Sequence, residues 1–154
     1  MTRYQQLLSL IDQVKPQLLF EFGTWNGDRA IELIKAAQKH HADVKYAGID
    51  LFELATPETD AAESNVKAHF TAQEVHDNIK SATNALVNIV RCNSRDLTDP
   101  VVADLVFIDG GHSVETIKHD YELSKRSKFI VFDDFYTPDE NGNFLDITRF
   151  VCNS

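Results

Sequence analysis

The fold is indicated by the stretch Leu18-Leu-Phe-Glu-Phe-Gly23-Thr-Trp-Asn-Gly27-Asp28, which passes from an apolar run through two glycines into a polar segment. Residues 18–22 have the length and composition of a short buried strand. From Asp28 to His40 the apolar residues recur at helical spacing. A strand, a glycine turn and a helix in this order predict the first unit of a parallel α/β sheet.

Outward from this unit, strand-like and helix-like segments continue to alternate. An amphipathic helix is predicted at Tyr4–Val14, where Pro16 ends it. Further strands are predicted at Lys45–Asp50, Leu86–Cys92, Ala103–Asp109 and Lys128–Asp134, and helices at Ala72–Thr83, from Ser113 to Lys125, and as a last turn or two at Asp146–Val151. The acidic segment Glu53–Phe70 has no clear period, and we expect a long lid that becomes ordered only with ligand.

Composition sets the broad class of the protein. The chain has 154 residues, of which 43% are hydrophobic, and we expect residues 1–154 to form one domain. The net charge is -9, and without a basic cluster this argues against a nucleic-acid partner. No signal peptide or membrane-spanning run is evident, so a cytoplasmic protein without a membrane partner is expected. Cys92 and Cys152 fit neither a disulfide framework nor a zinc site.

Four of the predicted strands end in polar groups, at the sheet edge where open α/β sheets bind ligands. They are Glu21 with Gly23 and Gly27, Asp50, Asp109 with His112, and the pair Asp133-Asp134. Carboxylates gathered at one edge repel each other, which favours a functional explanation over a purely structural one.

The glycine turn reads Glu-x-Gly-x-x-x-Gly and therefore differs from the Gly-x-Gly-x-x-Gly of dinucleotide sites. Glu21 beside a pyrophosphate would be unfavourable, whereas S-adenosylmethionine has no phosphate and carries an ammonium and a sulfonium group. Asp50, at the end of the second strand, is placed to accept hydrogen bonds from both ribose hydroxyls. Two alternatives remain: a tight turn alone explains Gly23 and Gly27, and a helix cap or loop carboxylate explains Asp50.

With these motifs the sequence resembles the class I S-adenosylmethionine-dependent methyltransferases from Leu18 to Phe135. The segments Val106-Phe-Ile-Asp109-Gly-Gly-His112-Ser-Val-Glu115 and Phe129-Ile-Val-Phe-Asp133-Asp134-Phe135 resemble the branch that contains macrocin-type sugar O-methyltransferases and cephalosporin hydroxylase-like proteins. The resemblance implies a Rossmann-like sheet of strand order 3-2-1-4-5 with helices on both faces. It also implies that Asp109, Asp133 and Asp134 hold Mg²⁺ beside the acceptor hydroxyl.

The chain differs from the pattern of this family at two points. Gly111 stands where many relatives carry a second aspartate. The usual C-terminal edge strands are expected to be missing, and the exposed edge could then form a homo-oligomer with a partner subunit.

The predicted cofactor-binding residues are Glu21, Gly23, Thr24, Trp25, Gly27, Asp50, Leu51, Phe52, Asn93, Ser94 and Asp109. His112 and Asp109 are the predicted catalytic residues, with His112 as general base. Alternatives remain open: a core role for Leu51 and Phe52, turn chemistry for Asn93 and Ser94, and loop packing for His112 and Trp25.

The predicted function is transfer of a methyl group from S-adenosylmethionine to a hydroxyl of a small molecule, of sugar type by resemblance, with assistance from Mg²⁺. Two rival functions are a non-catalytic nucleoside-binding module and, less favoured by the glycine spacing, a nicotinamide-dependent oxidoreductase.

Overall fold

A computed structural model describes the backbone of residues 2–138 and 144–152 and the side chains of residues 2–133. Its helices are α1 (Arg3–Val14), α2 (Asp28–Gln38), α3 (Pro57–Ala62), α4 (Ala72–Thr83) and α5 (Val114–Ser124). Its strands are β1 (Leu18–Phe22), β2 (Lys45–Asp50), β3 (Leu86–Arg91), β4 (Leu105–Ile108), β5 (Phe129–Pro138) and β6 (Phe144–Cys152). Two single turns of 3-10 helix lie at Phe52–Leu54 and Ser94–Asp96.

The strands form one sheet in the order β3-β2-β1-β4-β5-β6. The first five strands pair in parallel, which confirms the predicted α/β fold and its 3-2-1-4-5 order. Because these pairs are all parallel, β1 to β5 run in the same direction and their carboxyl ends point to the same edge.

The sixth strand corrects two expectations. β6 pairs antiparallel with β5, so the helical turn predicted at Asp146–Val151 is wrong, and so is the expectation that no edge strand follows β5. Residues 144–151 are rich in aromatic and β-branched side chains, which favour strands once a partner strand is available. The edge of β5 is therefore covered by the chain itself.

The β5–β6 pairing also shifts its register at the end of the parallel sheet. Phe132 pairs with Arg149 and Phe135 with Ile147, so two residues of β5 face one of β6. This is the geometry of a β-bulge, and it falls on Asp133 and Asp134.

Two apolar cores lie on opposite faces of the sheet. The larger one packs α1, α2 and α4 against the strands through residues such as Ile11, Ile34 and Ile79, all of them fully buried. The smaller one packs α5 through Leu123 against Val106 and neighbouring strand residues. Within the described parts of the chain, no helix combines the length and apolar character that crossing a membrane requires.

Candidate functional site

A cleft of about 570 Å³ opens where β1, β2, β3 and β4 end. Its walls combine the glycine turn after β1, Asp50 and Leu51 after β2, Asn93 and Ser94 after β3, and residues 109–112 after β4. The volume lies within the range of small-molecule and cofactor sites. Polar groups from four strand ends that are distant in sequence therefore meet in one cavity.

Two glycines shape the turn between β1 and α2. Gly23 has φ +88° and Gly27 has φ +86°, in the left-handed region that favours glycine. A Cβ atom on Gly23 would lie 2.1 Å from the carbonyl oxygen of Asp109, because the turns after β1 and β4 touch there. The close contact between these two turns therefore requires a glycine at position 23, independently of any ligand.

Asp50 organises the same turn. Its Oδ2 accepts a hydrogen bond of 2.8 Å from the Trp25 amide, and its Oδ1 accepts one of 2.7 Å from the Leu51 amide. Asp50 is thus a loop carboxylate, as the alternative interpretation had it. Each carboxylate oxygen has a further lone pair, so binding of ribose hydroxyls remains chemically open.

Glu21 does not reach the cleft. Its side chain is fully buried, accepts a hydrogen bond from the Tyr46 hydroxyl, and is absent from the lining of the cleft. Burial raises the pKa of Glu21 to about 8, opposed in part by the Tyr46 hydrogen bond. The predicted direct contact between Glu21 and a bound cofactor is therefore wrong in this geometry.

Two further predicted cofactor residues lie behind the cleft wall. Phe52 belongs to the larger apolar core, as the core alternative had it, and Gly27 caps α2. Of the predicted cofactor-binding and catalytic residues, those that line the cleft are Gly23, Thr24, Trp25, Asp50, Leu51, Asn93, Ser94, Asp109 and His112.

Asp109, directly after β4, and Asp133, at the β-bulge within β5, approach each other. Burial, followed by the charge of Asp133, raises the pKa of the Asp109 carboxyl well above its usual range. From α1, the Arg3 guanidinium lies 3.5 Å from Asp133. The carboxyl group of Asp109, which lines the cleft, therefore meets Asp133 and Arg3, which lie outside the lining.

The predicted metal triad is described only in part, because the Asp134 side chain lies outside the described side chains. Within residues 2–133, no group of three His, Cys, Asp or Glu side chains is arranged to hold a metal ion. Asp109 and Asp133 alone supply two carboxylates, which is a donor set that Mg²⁺ accepts when waters complete its coordination.

The segment between β2 and α4 roofs the cleft, and we call residues 56–69 the roof segment. It contains α3, which begins with a capping box between Thr56 and Thr59. At one end the Trp25 Nε1 donates a 2.8 Å hydrogen bond to the Ala68 carbonyl. The roof segment therefore contains a helix where the sequence showed no clear period, and Ala68 joins it to the glycine turn. That the segment becomes ordered only with ligand stays a prediction. The Thr56-Pro57 pair is the sequence signal that could have located α3.

Glu63, at the end of α3 and near the middle of the roof segment, anchors it to α5. Its Oε2 accepts a 2.8 Å hydrogen bond from the Ser113 amide, and its Oε1 accepts bonds from the hydroxyls of Ser113 (3.1 Å) and Thr116 (2.6 Å). His112 is exposed at the cleft beside this anchor. Its place in the lining is compatible with the predicted base role and with loop packing.

Helices α1 and α2 also contribute side chains to the lining of the cleft, and the sequence did not predict this contribution. Tyr4 and Arg29 both line it, and the guanidinium of Arg29 stacks 3.3 Å from the centre of the Tyr4 ring. The helical period predicted the buried face of α1, but it carries no information on which polar side chains reach a cavity.

Several solved structures share this fold. A protein from Staphylococcus aureus, proposed to be a caffeoyl-CoA O-methyltransferase, is 18% identical, with a TM-score of 0.58 over 85% of this chain and 56% of its own. The O-methyltransferase TomG from Streptomyces achromogenes, solved in complex with SAM, is 18% identical, with a TM-score of 0.52 over 85% of this chain and 54% of its own. A proposed O-methyltransferase from Nostoc punctiforme PCC 73102 is 13% identical, with a TM-score of 0.60 over 90% and 38%.

The chain thus spans little more than half the length of the first two of these proteins. No curated protein matches the chain. Residues 20–135 match the family described as Methyltransferase domain, a stretch that runs from β1 into β5 and includes every strand end that lines the cleft. The match confirms the methyltransferase class predicted from the glycine turn, Asp50 and the later acidic motifs. Because it covers well over half of the sequence, the chain belongs to the Methyltransferase domain family.

Proposed function

We propose that this chain binds S-adenosylmethionine in the cleft and transfers its methyl group to a hydroxyl of a small molecule. The observation that carries the proposal is the convergence of the glycine turn, Asp50, the Asn93-Ser94 pair and residues 109–112 on one cavity of about 570 Å³. A nucleoside with an amino-acid tail needs a cavity that extends over several neighbouring strand ends, as this lining does.

The charge of the cleft supports a cationic cofactor. Seven aspartate and glutamate side chains line it against three of lysine and arginine. The sulfonium and ammonium groups of S-adenosylmethionine gain from such surroundings, whereas the two phosphates of a nicotinamide dinucleotide would be repelled. The acidic lining therefore favours a methyltransferase over the oxidoreductase alternative.

Each part of the cleft then has a role in the proposed reaction. The glycine turn leaves room for the methionine end of the cofactor, and Asp50 accepts hydrogen bonds from the ribose hydroxyls while it holds the Trp25 amide. Trp25 and the roof segment exclude water from the sulfonium. His112, at the exposed side of the lining, takes the proton from the acceptor hydroxyl as the methyl carbon is displaced in line from sulfur.

The proposed acceptor is an oxygen nucleophile. O-methyltransferases among the similar folds support this choice, and the Asp109-Gly-Gly-His112 and Asp133-Asp134 motifs support the finer proposal of a sugar-type hydroxyl, as in the macrocin-type branch. Asp109 and Asp133 are the described residues that would hold Mg²⁺. When bound, the ion would supply a Lewis acid that lowers the pKa of the acceptor hydroxyl.

Titration calorimetry tests the cofactor part of this proposal. We expect saturable, one-to-one binding of S-adenosylhomocysteine and no binding of NADH. Asp50→Asn should weaken the binding by about tenfold or more, since hydrogen bonds to a charged group are lost in a desolvated site. The matched control is Asp43→Asn at an exposed position outside the cleft, which should leave the affinity unchanged.

Two outcomes would contradict the proposal in different ways. Binding of NADH with no binding of S-adenosylhomocysteine would favour the oxidoreductase alternative. Cofactor binding without methyl transfer to any of a panel of sugar and phenolic hydroxyl compounds would favour the non-catalytic module.

A further inference from the structure

One face of α5 carries polar side chains into the interior. Thr116, Asp120 and Ser124 are spaced by four residues, and all three are buried. The Thr116 hydroxyl donates to Glu63, and the Ser124 hydroxyl donates a 2.7 Å hydrogen bond to the Asp120 carbonyl. Two of the three buried side chains therefore have their partners within the chain.

The Asp120 side chain differs from these two. Asp120 is 1% exposed and lines the cleft, and among the described residues neither of its carboxyl oxygens finds a hydrogen-bond partner. Burial is the larger effect on Asp120 and raises its pKa to about 6. The nearby Ser94 hydroxyl lowers this pKa, although it does not lie in hydrogen-bond geometry with the carboxyl group. Burying a carboxyl group without donors is costly, which is an observation that calls for a ligand.

The position of Asp120 in the cleft is fixed by its neighbour on α5. The His119 Nε2 lies 3.1 Å from both the Ser94 and the Leu97 carbonyl oxygens, so it ties α5 to the turn that follows β3. Ser94 and Asp120 consequently belong to one wall. The Ser94 side of that wall follows β3, which lies beyond β2 in the sheet order from β1 to β3, and Asp120 reaches the same wall from α5.

This order separates the two ends of the proposed cofactor. The methionine end, with both of its cationic groups, is proposed at the glycine turn after β1, and the ribose is proposed at Asp50 after β2. The nucleobase then extends toward the wall of Ser94 and Asp120. The adenine at this end of the cofactor has one group that acts only as a hydrogen-bond donor, namely its exocyclic 6-amino group.

We propose that Asp120 accepts a hydrogen bond from the 6-amino group of the adenine and thereby selects an adenine nucleoside at this end of the cleft. This assignment rests on the proposed function, because it needs S-adenosylmethionine or its product in the cleft. It adds a specificity-determining residue on α5, outside the glycine turn and the strand-end motifs.

The 6-oxo analogue S-inosylhomocysteine changes the 6-position and the adjoining N1 of the base and leaves the ribose and homocysteine contacts of the cofactor as they are. Its base presents a carbonyl oxygen where adenine presents the amino group, and an ionised carboxylate cannot donate to it. At pH 8 the wild-type chain should bind S-adenosylhomocysteine about 30- to 100-fold more tightly than the inosyl analogue. Asp120→Asn supplies both an acceptor and a donor, so we expect the preference to fall at least tenfold.

The ratio of the two affinities is measured on the same folded protein, so a general loss of stability does not change it. Asp96→Asn is the control, because Asp96 is exposed beside Ser94 and outside the lining, and it should keep the wild-type preference. An Asp120→Asn ratio within twofold of wild type, or a wild-type chain that does not discriminate, would overturn the assignment while the proposed function stands. Failure of the wild-type chain to bind either compound would overturn the proposed function together with this assignment.

Discussion

Replacing Gly23 by alanine should destabilise the protein strongly, even though only one methyl group is added. The new Cβ would lie 2.1 Å from the Asp109 carbonyl oxygen and 2.6 Å from the Gly110 Cα. Both contacts are to backbone, so no side chain can rotate away, and the turns after β1 and β4 must separate. The φ of +88° adds a second penalty, because residues with a Cβ rarely adopt this conformation.

The magnitude follows from these two terms. A strained backbone conformation costs about 1–3 kcal/mol, and overpacking costs about 1–3 kcal/mol. We therefore expect a loss of roughly 2–6 kcal/mol in the free energy of unfolding. For a chain of this size that loss lowers the melting temperature by roughly 5–20 °C.

Gly110→Ala is the matched control for this prediction. Gly110 lies on the other side of the same contact, but a Cβ there would meet nothing closer than 3.5 Å. Urea denaturation followed by circular dichroism gives both free energies of unfolding. If Gly23→Ala lies within 1 kcal/mol of Gly110→Ala, the contact between the two turns does not require glycine and the reasoning is refuted.

Three further predictions concern the roof segment, a buried carboxyl group and the metal. Glu63→Ala should detach the roof segment from α5 and raise amide hydrogen exchange in residues 56–69, whereas Glu58→Ala on the exposed side of α3 should not. Equal exchange in the two variants would contradict the anchor. Because the pKa of Glu21 is raised to about 8, the folded protein retains a proton that the unfolded chain releases above its ordinary pKa of 4.5, so stability falls as the pH rises between these values. Glu21→Gln should match wild type near pH 5 and exceed it by at least about 1 kcal/mol at pH 8.5, and a constant difference across this range in urea titrations would argue against a protonated Glu21. Millimolar Mg²⁺ should raise the melting temperature of wild type by a few degrees and that of Asp133→Asn far less; no rise in wild type would count against a metal at Asp109 and Asp133.

The parallel sheet could be predicted from the sequence because each of its strands is a short apolar run bounded by turn residues. The run at residues 18–22 and the later run at 105–108 are buried strands in the structure. The last strand was missed because residues 146–151 are short enough for either a helical turn or a strand. Pairing with β5 decides between the two, and a local pattern does not contain that information.

The residues of the candidate site that could be predicted are those at the end of a strand or shortly after it. Asp50 and Ser94 reach the cleft for this reason. Glu21 was misplaced because its side chain points to the face of the sheet where Tyr46 lies, and strand alternation alone did not indicate which face borders the cleft. Asp120 was missed because it lies within a helix, where an acidic residue is ordinarily exposed.

The central claim is that S-adenosylmethionine occupies the cleft between the glycine turn and the wall of Ser94 and Asp120. A crystal structure of the chain with saturating S-adenosylhomocysteine tests it most directly. We expect electron density for the homocysteine end at Gly23, for the ribose at Asp50 and for the adenine beside Ser94. Density for the ligand elsewhere on the protein, or a cleft without ligand density at a concentration that saturates the calorimetric titration, would contradict the claim.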